Sequence, residues 1–284
     1  MIDEVRIVEV GPRDGLQSIS EPISTVEKKT YIDMLSEAGC SEIEVTSFVS
    51  PKWVPQLADA KDLSASIQRN DHTTYTALVP NKKGLEAAME SGYRSVAIFT
   101  AASETFSQKN TNGSIEQNFE RFEEMIPIWE ENEIRVRAYI SACWVCPYEG
   151  DIGAESVIKV IQDLVDIGVH EISLGDTIGK ATPNDVEYLL KIILDNWSSE
   201  LFALHMHDTY NMAAENITIG LGMGIRILDS SAGGVGGCPY APGASGNIST
   251  ETVLRVCNEQ GFDTGIDIDK LKIAGEYIQS IIQQ

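Results

Sequence analysis

The feature that most constrains this chain is a repeat. Eight short, β-branched apolar runs alternate with longer amphipathic stretches along the whole sequence. The runs fall at 5–10, 42–46, 74–79, 95–100, 135–140, 171–174, 201–207 and 225–231. Helical periodicity predicts helices over 25–38, 58–68, 82–91, 114–131, 154–167, 183–195 and 209–223, and two more at 249–258 and 268–282. Strands that alternate with helices build a parallel sheet through crossover connections. Eight such units in 284 residues, with no linker between domains, close most simply into a (β/α)8 TIM barrel with a short C-terminal helical extension. A doubly wound open sheet is the other arrangement of the same α/β units. The punctuation supports the repeat. Helix, glycine, next strand recurs at Gly39, Gly92, Gly168 and Gly224, and a glycine there accepts the left-handed backbone that stops a helix. Residues 1–284 therefore read as one barrel domain, with C-terminal helices from about 249 to 284.

Several classes of function are excluded early. No apolar run reaches the roughly 18 residues that a membrane span needs. No leader-like segment precedes the first run, so the sequence reads as cytoplasmic. The net charge of −22 opposes nucleic-acid binding, which needs a basic face. It also means that an anionic ligand must be met by local cations, for which Lys52, Lys82, Lys83 and Lys109 are candidates. The five cysteines lack the spacing of a disulfide scaffold, and Cys143 and Cys146 form a lone C-x-x-C that reads as a pair of loop or core thiols.

In barrels of this kind, reactive groups gather at the C-terminal ends of the strands. Those positions hold Arg13 and Asp14, then Glu44 and Ser47, Arg137, Ser173 and Asp176, His205 and His207, and finally Cys238 and Asn247. The His205-Met206-His207 triplet is the sharpest local signal. Residues two apart on a strand point the same way, so both imidazoles face one space. With Asp14 and Asn247 added, the donors are mixed nitrogen and oxygen, which suits Mg or Mn with positions left open better than a closed zinc site. Arg13 would aim a permanent fork of positive charge at a developing oxyanion. The glycine-dense segment 233–247 matches neither phosphate-binding glycine pattern. It reads as a lid that carries one thiol, Cys238.

These residues closely resemble the 3-hydroxy-3-methylglutaryl-CoA lyase family. The likeness rests on Val10-Gly11-Pro12-Arg13-Asp14-Gly15-Leu16-Gln17 and on the run from Thr46 through Ser47, Pro51 and Trp53 to Gln56. It continues in Cys146-Pro147-Tyr148-Glu149-Gly150, Ser173-Leu174-Gly175-Asp176-Thr177, His207-Asp208-Thr209-Tyr210 and Gly237-Cys238-Pro239-Tyr240. The resemblance implies a pyruvate carboxyltransferase-like barrel that cleaves 3-hydroxy-3-methylglutaryl-CoA to acetyl-CoA and acetoacetate, as in leucine breakdown. It implies a divalent metal on Asp14, His205, His207 and Asn247. Arg13, Asp14, Cys238 and His205 would be catalytic. Gln17, Glu44, Ser47, Arg137, Ser173 and Asp176 would join Arg13 around the substrate, and Lys109 with Asn110 would meet coenzyme A. A homodimer is the implied assembly. The family commonly continues after Gln17 with Asn-Glu and a nearby Lys, where this chain has Ser18-Ile19-Ser20. Rival readings are a lyase for a longer 3-substituted glutaryl-CoA or citramalyl-CoA, a Claisen-condensing synthase of the isopropylmalate type, and a catalytically silent metal- or CoA-binding protein.

Overall fold

The protein is described by a computed structural model that covers residues 3–236 and 246–283. In chain order the strands are β1 (Arg6–Glu9), β2 (Glu42–Ser47), β3 (Thr74–Leu78), β4 (Ser95–Ala101) and β5 (Arg135–Ser141). A short antiparallel ribbon follows, β6 (Val145–Cys146) and β7 (Gly150–Asp151). Then come β8 (Glu171–Asp176), β9 (Phe202–Met206) and β10 (Ile227–Ser230). The eight longer strands are parallel and closed in the order β1-β10-β9-β8-β5-β4-β3-β2. The seam pairs Arg6 with Ile227 on one side and Val8 with Glu42 on the other. Closure excludes the open doubly wound sheet. No helix among the described residues is long and apolar enough to cross a membrane.

Local sequence explains the elements. Helix Thr25–Glu37 opens on Ser24, whose hydroxyl accepts from the Glu27 N–H while the Glu27 carboxylate accepts from Ser24. Thr182 and Asp185 do the same for helix Pro183–Leu194. Gly39, Gly92, Gly168 and Gly224 all have positive φ, between 79° and 97°, as the helix-stop pattern requires. Three stretches depart from expectation. The helix expected over 114–131 divides into Ile115–Glu123 and Ile126–Glu131, because Pro127 has no N–H to continue the first. The helix expected from 209 starts at Ala213, whose N–H is taken by the Asp208 carboxylate. A further helix, Glu104–Thr111, is mostly polar and so showed no apolar period; the Ser103 cap and buried Phe106 hold it.

The strands alternate between two surroundings. Ile43, Val45, Val136, Ala138, Ile140, Ile172 and Leu174 belong to the apolar core shared with the helices. Their neighbours Glu42, Glu44, Arg135, Arg137, Tyr139, Glu171, Ser173 and Asp229 bond one another across the barrel interior. Arg137 is the centre of this interior and is 0% exposed. Its Nε donates to Glu171 at 2.5 Å, its Nη1 to Tyr139 at 2.7 Å and its Nη2 to Asp229. Toward the N-terminal ends of the strands, Arg6 and Arg135 both pair with Glu42 and Glu171. Toward the opposite mouth, Tyr139 donates to Glu44 at 2.7 Å, and Glu44 holds Arg13.

Removing one partner of a buried ion pair leaves the other charge uncompensated. Arg137→Met should therefore destabilise the fold by about 3–5 kcal/mol in urea unfolding. A loss under about 1 kcal/mol, the range of a surface pair, would show that the interior charges are not coupled as described.

Candidate active site and metal centre

The site begins where β1 ends. Residues Gly11–Gly15 form one π-helical turn, in which the N–H groups of Arg13, Asp14 and Gly15 all reach the Val10 carbonyl. Such turns recur at functional sites because they redirect consecutive side chains. This one sends Arg13 and Asp14 inward together. Arg13 is 5% exposed. Its Nε donates to Glu44, its Nη1 donates to Asp14 at 2.5 Å, and its guanidinium lies 5.2 Å from the centre of the Tyr139 ring. Burial opposes the Arg13 charge, but Glu44 and Asp14 outweigh it and raise the pKa above the ordinary arginine range. Burial likewise pushes the Asp14 carboxyl up, yet Arg13, His205 and His207 outweigh it and hold the group well below the usual range.

β9 and the segment after it bring the imidazoles. The His205 and His207 rings lie 5.4 Å apart, centre to centre, and one donor atom from each lies with one from Asp14 inside a mutual spacing of 4.8 Å. Among the described residues this is the one such group of three or more His, Cys, Asp or Glu side chains. Asn247 completes it by donating from Nδ2 to Asp14 at 2.9 Å. Asn247 arrives by backbone pairing: it bridges His207, and Ile248 donates to the Met206 carbonyl at 3.1 Å. The residues fit a divalent cation. The Nδ1 of His207 is buried with no hydrogen-bond partner among the described residues, and a buried polar atom left unpaired is costly unless something else engages it. Burial and the neighbouring His205 lower the His207 pKa to about 4, which keeps its imidazole neutral and able to ligate.

Close approach of backbone makes the cluster possible. A Cβ on Gly15 would sit 2.7 Å from the Val235 carbonyl, and one on Gly236 would sit 3.0 Å from the Asn247 amide and 3.4 Å from Gly15. Glu9 ties the same region from below. Its carboxylate accepts from the N–H of Gly11 (2.9 Å), the N–H of Ala232 (3.0 Å) and the hydroxyl of Thr250 (2.7 Å). It thus links the turn that carries Arg13 to both ends of the glycine-dense segment.

A cavity of 860 Å³ opens above the cluster. Arg13, Asp14, Gln17, His205, His207, Lys109 and Asn110 all line it, and Trp53, 77% exposed, stands in its wall. Lys52, Lys82 and Lys83 do not line it. Nor do Glu44, Ser47, Arg137, Ser173 or Asp176, which the sequence placed around the substrate. The reason is depth. Glu44, Arg137 and Ser173 lie inside their strands rather than at the ends, and each is spent on an interior partner. Ser47 accepts from the Val49 N–H, and Asp176 accepts from the N–H groups of Lys180 and Ala181 in the turn that follows it. These five shape the site from behind. Cys238 lies outside the described residues. Cys143 and Cys146 are free and buried, as read, Cys146 beside the Ser103 hydroxyl and Cys143 beside the Ile140 carbonyl. Sequence reasoning missed Tyr139 and Asp229. Both carried a signal: Tyr139 is two residues from Arg137 and so shares its face, and Asp229 is a charge within an apolar strand.

Comparison with known proteins gives a consistent picture. A profile of the HMGL-like family matches residues 4–278. The mitochondrial hydroxymethylglutaryl-CoA lyase of Macaca fascicularis is 48% identical over 97% of this chain and 85% of its own. A Pseudomonas aeruginosa relative, 47% identical over 98% of this chain and 93% of its own, is a 3-hydroxy-3-isohexenylglutaryl-CoA/hydroxy-methylglutaryl-CoA lyase. The solved HMG-CoA lyase of Brucella melitensis superposes with a TM-score of 0.97 at 43% identity, over 99% of this chain and 100% of its own. An HMG-CoA lyase of Acinetobacter baumannii, solved in complex with coenzyme A and 3-methylmalate, superposes with a TM-score of 0.94 at 34% identity, over 99% of this chain and 92% of its own.

Burial raises the Glu9 pKa from 4.5 to about 7, against the hydrogen bonds from Thr250, Ala232 and Gly11 that favour its charged form. A carboxyl that binds its proton more tightly when folded stabilises the fold below pH 4.5, and that contribution is lost as the pH rises through about 7. Relative to Glu9→Gln, the native protein should therefore lose up to about 3 kcal/mol over that window. Denaturant unfolding across the pH range measures the difference, and parallel curves would refute it.

Proposed function

The chain belongs to the HMGL-like family, and from that premise we propose that it is a hydroxymethylglutaryl-CoA lyase, splitting 3-hydroxy-3-methylglutaryl-CoA into acetyl-CoA and acetoacetate. The observation that carries this reading is the meeting of Asp14, His205 and His207 beside Arg13 on one wall of the large cavity. Lys109 and Asn110, on the same cavity, are assigned to coenzyme A. Asp14, His205, His207 and Asn247 would hold Mg or Mn. When bound, such a cation acts as a Lewis acid that orients the substrate and lowers the pKa of its tertiary hydroxyl.

The protein's own groups do the rest. Asp14 is the base for the hydroxyl proton, with the histidines as alternatives. In the free site its low pKa makes it a weak base. Turning the Arg13 guanidinium onto the substrate would free an Asp14 oxygen and remove the largest of the charges that lower its pKa. As the proton leaves, the hydroxyl-bearing carbon becomes the ketone of acetoacetate. The electrons of the broken carbon–carbon bond pass into the thioester enolate. Arg13, held by Glu44 at one edge, presents its remaining N–H groups to that negative charge. Cys238 is assigned the last proton transfer, from its thiol to the enolate carbon.

A second reading has a specific basis. The Pseudomonas relative is named for a longer substrate, and Leu78, Phe99, Phe106 and Tyr139 give this cavity an apolar side. A panel of CoA thioesters with lengthening 3-substituents decides between a narrow and a broad enzyme. The four described cysteines are free and buried, which suits the reducing cytoplasm we assign. The assembly we propose is a homodimer, which sedimentation would weigh.

Two measurements test the chemistry. Arg13→Lys replaces a fork by a point charge and should lower kcat by roughly 10²–10³; near-native turnover would remove Arg13 from its role. Chelation should abolish activity, and added Mg or Mn should restore it. Full turnover by metal-free protein would overturn the ligand assignment.

A further inference from the structure

The two imidazoles of the cluster are held differently. The Nδ1 of His207 has no partner among the described residues, whereas the Nδ1 of His205 lies 3.2 Å from the Oδ2 of Asp229. Asp229 is buried on β10, and nothing in the proposed reaction uses it. Its two oxygens are surrounded by donors: Arg137 Nη2 on Oδ1, and Ser173 Oγ, at 2.7 Å, on Oδ2 beside His205. A carboxylate paired with a guanidinium in this way only accepts hydrogen bonds. The hydrogen between it and His205 must then sit on the imidazole. That leaves the other ring nitrogen, Nε2, with its lone pair, and Nε2 is the atom that faces Asp14, at 4.0 Å.

We propose that Asp229 is the positioning residue of the metal centre: it fixes His205 in the Nδ1–H tautomer, so that Nε2 is always presented to the cation. The proposal rests on the metal reading of the cluster. It extends that reading inward, because Asp229 is itself fixed by Arg137, which also holds Tyr139 and through it Glu44 and Arg13. One buried guanidinium would thereby set the ligand on one side of the site and the anion-stabilising group on the other. A carboxylate behind a ligating histidine both selects its tautomer and stiffens its ring.

The test begins with the metal-free native protein, which needs no substitution. The chain has four histidines, so ¹⁵N-histidine labelling gives a sparse nitrogen spectrum, and the signals lost in His205→Gln identify that residue. At about pH 8.5, above the ordinary imidazole range, His205 should show a protonated Nδ1 and a bare Nε2. The opposite tautomer, or a mixture of both, overturns the proposal. The second arm is Mn²⁺ binding followed by electron paramagnetic resonance. Asp229→Asn, whose amide can offer a hydrogen to Nδ1, should bind Mn²⁺ roughly 10–100-fold more weakly and should show some Nε2–H form of His205. Native Mn²⁺ affinity in that variant overturns the proposal. If Asp229→Asn does not fold, the native tautomer alone decides. Failure of the native protein to bind Mn²⁺ would sink the metal reading, while the tautomer spectrum would still judge Asp229 by itself.

Discussion

The structure depends on a column of paired charges inside the barrel. Arg6, Arg135, Arg137 and Arg13 face Glu42, Glu171, Asp229 and Glu44 from one mouth toward the other. The interior of such a barrel is more often filled by branched apolar side chains. Here, burial makes the deepest charges expensive unless they are paired, so Arg137, Asp229 and Glu44 have little freedom to move. The net gain in stability from such pairs is small. What they supply is geometry. Arg137 cannot shift without taking a donor from Glu171, Tyr139 and Asp229, and Glu44 cannot shift without taking an acceptor from Arg13 and Tyr139. The reactive groups at the mouth inherit their positions from a lattice that begins among residues far below them.

Barrel closure explains why the site draws on both ends of the chain. Asp14 follows the first strand, while Asn247 lies beyond the last. They meet because β1 pairs with β10 at the seam. The π-helical turn after β1 and the glycine-dense segment after β10 are neighbours, and both are nearly free of Cβ atoms where they touch. Glu9 spans the same seam, accepting from Gly11 on one side and from Ala232 and Thr250 on the other. A single buried carboxyl therefore positions the turn that carries Arg13 and the two stems of the segment that carries Cys238.

Much of this was legible in the sequence, and the reasons for the gaps are physical. Strand–helix alternation and the helix-stop glycines are local signals, so all eight strands were located. The H-x-H spacing works because strand geometry fixes side-chain direction within two residues. Depth along a strand is not local. Glu44, Arg137 and Ser173 were placed around the substrate because they read as strand-end positions and match the family resemblance, yet how far each lies below the mouth depends on the register of neighbouring strands. Pairings such as Arg137 with Asp229, 92 residues apart, exist only after closure. The π-helical turn was equally hidden, since Gly-Pro-Arg-Asp-Gly reads as an ordinary tight turn until the Val10 carbonyl is seen to collect three N–H groups.

The same register gives the two histidines different dependencies. His205 sits within β9 and leans on Asp229, so its position is set from inside the barrel. His207 lies one step past the end of β9, where its backbone bridges Asn247, so its position is set by the returning chain. Asp14 stands between them, bonded to Arg13 on one side and to Asn247 on the other. A ligand set built in this way joins two independent supports. One is rigid because its charges are paired in the dark of the barrel. The other is tied by backbone to the segment whose thiol is assigned the final proton. Gly236, two residues before Cys238 in the sequence, lies so close to Asn247 that a Cβ there would sit 3.0 Å from its amide, so a shift of that stem bears on a residue proposed to hold the cation. On the proposed reading, the stem of the segment that carries the thiol and the set that would hold the cation share this one contact.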